Sequence, residues 1–129
     1  MGPPAGPQGA AVAGGATAGA LLRWQAGVWF NRAGAALPAG TLLVNCVGGL
    51  LIGIALVVFQ RQPADVLRLL VVTGFLGGLT TFSAFSGESL ALLQRGAFGA
   101  AAVHTAAHVL GALACAAAGT VVARLVLDA

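Results

Sequence analysis

The sequence predicts an all-α integral membrane protein of four transmembrane helices, the third of them broken near mid-membrane. Three observations carry that expectation. Of 129 residues, 59% are hydrophobic and only 7% are charged, with a mean hydropathy of +0.98. Soluble domains carry about a quarter charged residues, so six basic and three acidic side chains are too few to coat a water-exposed surface. Four apolar stretches each reach the ~20 residues that a helix rising about 1.5 Å per residue needs to cross a bilayer. The third stretch is interrupted by Gly77-Gly78 and a run of hydroxyl side chains. Composition therefore excludes an ordinary soluble enzyme. It also excludes a disordered chain, which needs low hydrophobicity and high charge. A mass of 12.6 kDa is about one domain, so residues 1–129 are expected to form a single membrane domain.

The first span is expected over about 8–30, after a Pro/Gly-rich start containing Gly2, Pro3, Pro4, Gly6 and Pro7. No arginine or lysine precedes Arg23, so the charged leader of a secretory signal is missing and the segment is expected to be retained. It closes at the turn-like Asn31-Arg32-Ala33-Gly34. The second span opens near Pro38, where proline suits a first helical turn, and runs to about residue 60 before Gln60-Arg61-Gln62-Pro63. The third covers about 64–95 and the fourth about 98–127. Connections this short leave no room for a soluble domain.

Small residues recur at helical spacing. Gly15 and Gly19, Gly49 and Gly53, and Gly74 and Gly78 form GxxxG pairs, and Gly111, Cys115 and Gly119 continue the pattern in the fourth span. Such stripes let helix backbones approach closely where lipid supplies no hydrophobic drive. Cys46 and Cys115 lack metal or redox spacing and read as packing residues. The six arginines, Arg23, Arg32, Arg61, Arg68, Arg95 and Arg124, are scattered, so the pI near 10.3 does not mark a nucleic-acid surface and no nucleic-acid partner is expected. Four spans place Arg61, Arg68 and Arg124 on one side and Arg23, Arg32 and Arg95 on the other. Positive charge normally fixes orientation, and a tie gives insertion no instruction. One reading is dual topology with antiparallel pairing; the other is that a single arginine decides.

The third span carries the chemistry. Its middle reads Gly74-Phe-Leu-Gly-Gly-Leu-Thr-Thr-Phe-Ser-Ala-Phe-Ser86, and the midpoint between Arg68 and Arg95 falls near Thr81. Glycine weakens a helix, and hydroxyls compete for its backbone hydrogen bonds. Irregular backbone at that depth survives only when buried in protein or lining a cavity. Freed carbonyls suit a cation and the positive end of a half-helix suits an anion, so an ion or substrate site is expected here.

That stretch, together with Gly40-Thr-Leu-Leu-Val-Asn45-Cys-Val-Gly-Gly-Leu-Leu-Ile-Gly53 and Gly19-Ala-Leu-Leu-Arg23-Trp24, resembles the CrcB/Fluc family of fluoride channels over nearly the whole chain. The resemblance implies an antiparallel dual-topology homodimer in a prokaryotic inner membrane, conducting fluoride passively out of the cytoplasm around a structural sodium ion. It implies sodium ligation by the backbone carbonyls of Gly77 and Thr80. Phe82 and Phe85 would be the aromatic pair of the pathway and Asn45 its second-span polar residue. Thr81, Ser83, Ser86 and Glu88 are candidates for the lining, and Arg23 would face an aqueous vestibule.

One departure stands out. The family usually carries a hydroxyl-rich track in the fourth span, where this chain has His104, Thr105 and His108. His104 and His108 share a helix face at i, i+4; they would extend the polar pathway, bind a metal, or pack as hydrogen-bonded interhelical residues. The alternative function, a small multidrug-type proton-coupled exporter, needs a membrane-embedded carboxylate, and residues 8–30 contain none. No nucleophile–base–acid set suggests an enzyme.

Overall fold

The computed structural model describes residues 6–35 and 37–129; the opening of the Pro/Gly-rich start, Gly2 to Pro4, lies outside the described residues. Six α-helices follow one another: α1 (Gly6–Phe30), α2 (Ala39–Arg61), α3 (Asp65–Arg68), α4 (Gly77–Leu79), α5 (Phe82–Gln94) and α6 (Phe98–Leu127), with a π-helical stretch, Leu69–Leu76, between α3 and α4. Among the described residues there is no strand. Among the described residues, three segments are long and apolar enough to cross a membrane: Ala39–Arg61, Asp65–Gln94 and Phe98–Leu127. Helix α1 has 25 residues, about 37 Å at the helical rise. Six glycines and seven alanines dilute its hydropathy.

Local chemistry explains the boundaries. Arg32–Ala35 forms a turn closed by the Ala35 amide on the Arg32 carbonyl at 3.1 Å, with Gly34 at φ +78°, a conformation that glycine takes without steric cost. Pro38 has no side chain to cap α2, so Asn31 does it from the preceding loop. Its Oδ1 accepts from the amides of Gly40 at 2.7 Å and Thr41 at 3.2 Å. Helix α5 ends in a Schellman motif: Gly96, at φ +73°, donates to Leu93, and Ala97 donates to Leu92.

The glycine pairs sort the helices. A Cβ at Gly15 would strike the Leu70 carbonyl, and one at Gly19 the Phe75 carbonyl. Reciprocally, a Cβ at Gly74 would lie 2.7 Å from the Val12 carbonyl, and one at Gly78 would lie 2.5 Å from that of Ala16. Helix α1 thus lies backbone against backbone on the first half of the third crossing. Gly49 would meet the Ala112 carbonyl at 2.5 Å, and Gly53 and Gly119 press on Ala116 and Leu50, which seats α2 on α6 in the same way. Buried Ala26, Val44, Leu76 and Leu79 join the two pairs, flanked by Leu51, Ile52 and Phe75.

The π-helical stretch was not anticipated from the sequence. Such turns are rare and cluster at functional positions. Gly15 presses between the Leu70 carbonyl and the Phe75 amide, five residues apart, the spacing of a π turn.

Candidate functional site

The third crossing is broken where the sequence expects it. Thr80 (φ −84°, ψ 156°) and Thr81 (φ −148°, ψ 115°) are both extended between α4 and α5. A side chain from α2 holds them so. Asn45 Oδ1 accepts from the Thr81 amide at 2.8 Å, and its Nδ2 donates to the Thr81 carbonyl at 3.0 Å. The carboxamide thus replaces the peptide partners that Thr81 would find in a continuous helix. Thr81 Oγ1 then caps α5 by accepting from the Ala84 amide at 3.0 Å.

The backbone pairing around the break is informative. In an unbroken α-helix the Thr81 amide would bond the Gly77 carbonyl, and the Ala84 amide that of Thr80. Both amides are committed elsewhere, to Asn45 and to Thr81 Oγ1. The Gly77 and Thr80 carbonyls therefore lose their helical donors together. Between them, the Gly78 carbonyl accepts from Arg23 Nε at 3.0 Å. Arg23 caps the broken end, with its remaining donors outside that bond.

Aromatic rings gather beside the break. Phe82 is 80% exposed and meets Phe85 edge-on, centroids 5.5 Å apart. Phe85 is buried, stacks on His104 at 5.5 Å with an interplanar angle of 12°, and leans on His108 at 4.8 Å. Asn45, Thr80, Thr81, Phe82, Phe85 and His108 line a cavity of about 640 Å³. Gly77 also borders it.

A polar seam lies along α5. Glu88 Oε1 accepts from Thr41 Oγ1 at 2.6 Å, and Glu88 Oε2 lies 3.0 Å from His104 Nε2. Ser89 Oγ is 2.9 Å from His104 Nδ1. His104 is fully buried, and both its ring nitrogens are matched. His108 accepts from Asn45 Nδ2 at Nδ1, 3.0 Å away, while its Nε2 has no hydrogen-bond partner. One ligand atom each from Glu88, His104 and His108 lie within 4.8 Å of one another. Glu88 also borders a second cavity, of about 470 Å³, shared with Arg32 and Arg95.

Most of the sequence candidates therefore converge. Asn45, Thr80, Thr81, Phe82, Phe85, Gly77 and His108 meet at one cavity, Glu88 and His104 sit in the adjoining seam, and Arg23 reaches the broken end. The two serines stand apart: Ser83 is exposed and 3.2 Å from Thr81 Oγ1, and Ser86 donates back to the Phe82 carbonyl at 2.8 Å. Thr41 and Ser89 were missed. Their signal was helical spacing, since Thr41 and Asn45 are i, i+4 on α2 and Phe85 and Ser89 are i, i+4 on α5.

The profile of the family described as CrcB-like protein, Camphor Resistance (CrcB), matches residues 10–120. A protein of Bordetella petrii named fluoride-specific ion channel FluC is 52% identical over 111 residues, covering 84% of this chain and 85% of the relative. Proteins of the same name from Aromatoleum aromaticum and Cupriavidus pinatubonensis are 52% and 50% identical, covering 80% and 89% of this chain and 80% and 93% of their own lengths. With three membrane-capable helices and bacterial relatives, the chain is a multi-pass bacterial membrane protein.

Proposed function

We propose that this chain, which belongs to the CrcB family, is a fluoride-selective ion channel that lets fluoride leave the cytoplasm passively across the inner membrane. The single observation that carries the reading is the Asn45 clamp on Thr81, which opens the third crossing beside two phenylalanines and a buried imidazole. Fluoride is small and strongly hydrated, so a pore must replace its water contacts without holding it. Phenylalanine edges are weakly positive, and amide and hydroxyl groups donate. The cavity offers both kinds of contact with no lining charge. The site conducts; it catalyses nothing.

Helix α1 is the fourth crossing in this reading, since its 25 residues reach across the hydrocarbon. The functional unit is an antiparallel homodimer of dual-topology protomers, in line with the arginine tie. The Gly77 and Thr80 carbonyls, stripped of their helical donors, fit an oxygen-ligated sodium ion shared between two copies. That ion would supply fixed positive potential near the pathway. Arg23 draws anions toward the same end.

The exporter alternative needs a carboxylate free to exchange protons with a substrate, but Glu88 is engaged on both oxygens by Thr41 and His104. The deciding experiment is ion efflux from liposomes carrying the purified protein. Fluoride efflux far above chloride efflux, independent of an imposed proton gradient and abolished by Phe82→Ile, is expected. Equal chloride efflux overturns the assignment, and cross-links found only between parallel protomers overturn the antiparallel dimer.

A further inference from the structure

Among the described residues, one buried side-chain polar atom has no hydrogen-bond partner, His108 Nε2. Its chemistry can be worked out from its neighbours. The Thr81 amide can only donate, so the Asn45 atom facing it at 2.8 Å is the oxygen. The NH₂ of Asn45 therefore faces the Thr81 carbonyl and His108 Nδ1, each at 3.0 Å, and directs one proton to each. An amide NH₂ can only donate, so His108 Nδ1 presents its lone pair. The one proton of the neutral ring then sits on Nε2.

The ring is 4% exposed, lines the cavity at the break and lies 4.8 Å from the Phe85 ring. A buried donor without an acceptor is costly and calls for one. A metal ion at Nε2 would need that nitrogen's lone pair, which moves the ring proton to Nδ1, against the Asn45 NH₂ that points there; the arrangement favours an acceptor at Nε2 over a metal.

We propose that His108 is an anion-contacting residue of the pathway, its Nε2–H fixed as a donor by Asn45 and presented to a small hydrogen-bond-accepting anion, fluoride, beside Phe85. The inference rests on the channel reading. It gives Asn45 a second role, because one amide proton holds the break and the other sets the tautomer of the donor. It also assigns the two histidines different work, because His104 is engaged by Glu88 and Ser89 while His108 stays available.

Two measurements test it. Nitrogen-15 spectra of histidine-labelled protein in lipid, with the His108 signals identified by their loss in His108→Asn, are expected to show a protonated Nε2 and a bare Nδ1. Sodium fluoride should shift that Nε2 signal and sodium chloride should not. A ring protonated at Nδ1, an Nε2 indifferent to fluoride, or an Nε2 shifted by stoichiometric zinc chloride overturns the proposal. In liposomes, His108→Phe, which keeps a ring but removes the donor, should lower fluoride efflux by about tenfold or more, and His108→Asn, which restores an N–H, should recover most of it. If His108→Phe conducts like the unaltered chain while Phe82→Ile does not, the His108 role fails and the channel stands. If the unaltered chain passes no fluoride, the channel reading fails, and the ring spectra still settle the donor. Should His108→Phe not fold, the spectra of the unaltered chain decide alone.

Discussion

The two halves of the third crossing are held by opposite physics. Before the break, residues 69–79 lie against α1 through glycine backbones, with Gly15 and Gly19 interlocked with Gly74 and Gly78. After it, α5 is tied by side-chain hydrogen bonds: Thr81 to Asn45, Glu88 to Thr41 and His104, and Ser89 to His104. The first contact is mainly steric, with one side-chain hydrogen bond at its end, from Arg23 to the Gly78 carbonyl, and its interlocked glycines have no room for a methyl. The second is chemical, and depends on donors and acceptors being matched. A channel needs both, a rigid wall and a polar face, and here one crossing supplies each from a different half.

The sharpest test of that contrast uses neighbouring glycines. Gly14 has open space where a Cβ would stand, whereas Gly15 faces the Leu70 carbonyl. Gly15→Ala should cost upward of about 1–3 kcal/mol, as overpacking does, and sharply reduce recovery of folded protein. Gly14→Ala should leave thermal stability in detergent unchanged or slightly raised. Equal behaviour of the two would dissolve the steric half of the comparison.

Asn45→Leu attacks the other half. It strands the Thr81 amide and carbonyl, each worth about 1–3 kcal/mol when buried without a partner. The protein should lose stability and fluoride efflux together, and amide exchange over residues 80–84 should accelerate. A smaller effect is expected for Glu88→Gln, whose side-chain oxygen still accepts from Thr41 while the partner of His104 changes from carboxylate to amide. A melting shift equivalent to about 1 kcal/mol is expected, and no shift would mean that the seam is ornamental.

The smallest effect belongs to Asp128. The Arg61 guanidinium, 2.6 Å away, holds its carboxyl below the ordinary value of 3.8. A depressed native pKa stabilises above that value, and the contribution is lost as pH falls through the native pKa. Because the pair is solvent-exposed and such pairs contribute little, Asp128→Asn should leave the melting temperature at pH 7 unmoved. A clear drop would show that the two helix ends need this tie.

Much of this was legible in the sequence. The helix ends have causes visible in the sequence, since Pro38, Pro63 and the Asn31–Gly34 turn punctuate the chain. The break was legible from Gly77-Gly78 followed by hydroxyls, since those residues weaken a helix locally. The side chain enforcing it was visible only as a polar residue in α2, because a clamp between residues 36 positions apart has no sequence period. The π-helical turns left no trace in the hydropathy pattern. Nor does a Gly-Gly doublet reveal which member is essential: Gly15 and Gly78 meet backbone carbonyls while Gly14 meets nothing and Gly77 only a distant carbonyl, whereas Gly48 and Gly49 are both tight, on Thr80 and on the Ala112 carbonyl. The histidines were visible as a pair on one face, but their division of labour required the orientation of one carboxamide.

That carboxamide carries a lesson about order of assembly. The bend in the third crossing is fixed by a residue of an earlier helix, so a peptide of residues 65–95 alone in micelles keeps the local weakening and the Thr81 cap but lacks the two Asn45 bonds that hold Thr81 extended. In the growing chain α2 is made before the third crossing, so the jig on which that segment is shaped precedes it in synthesis.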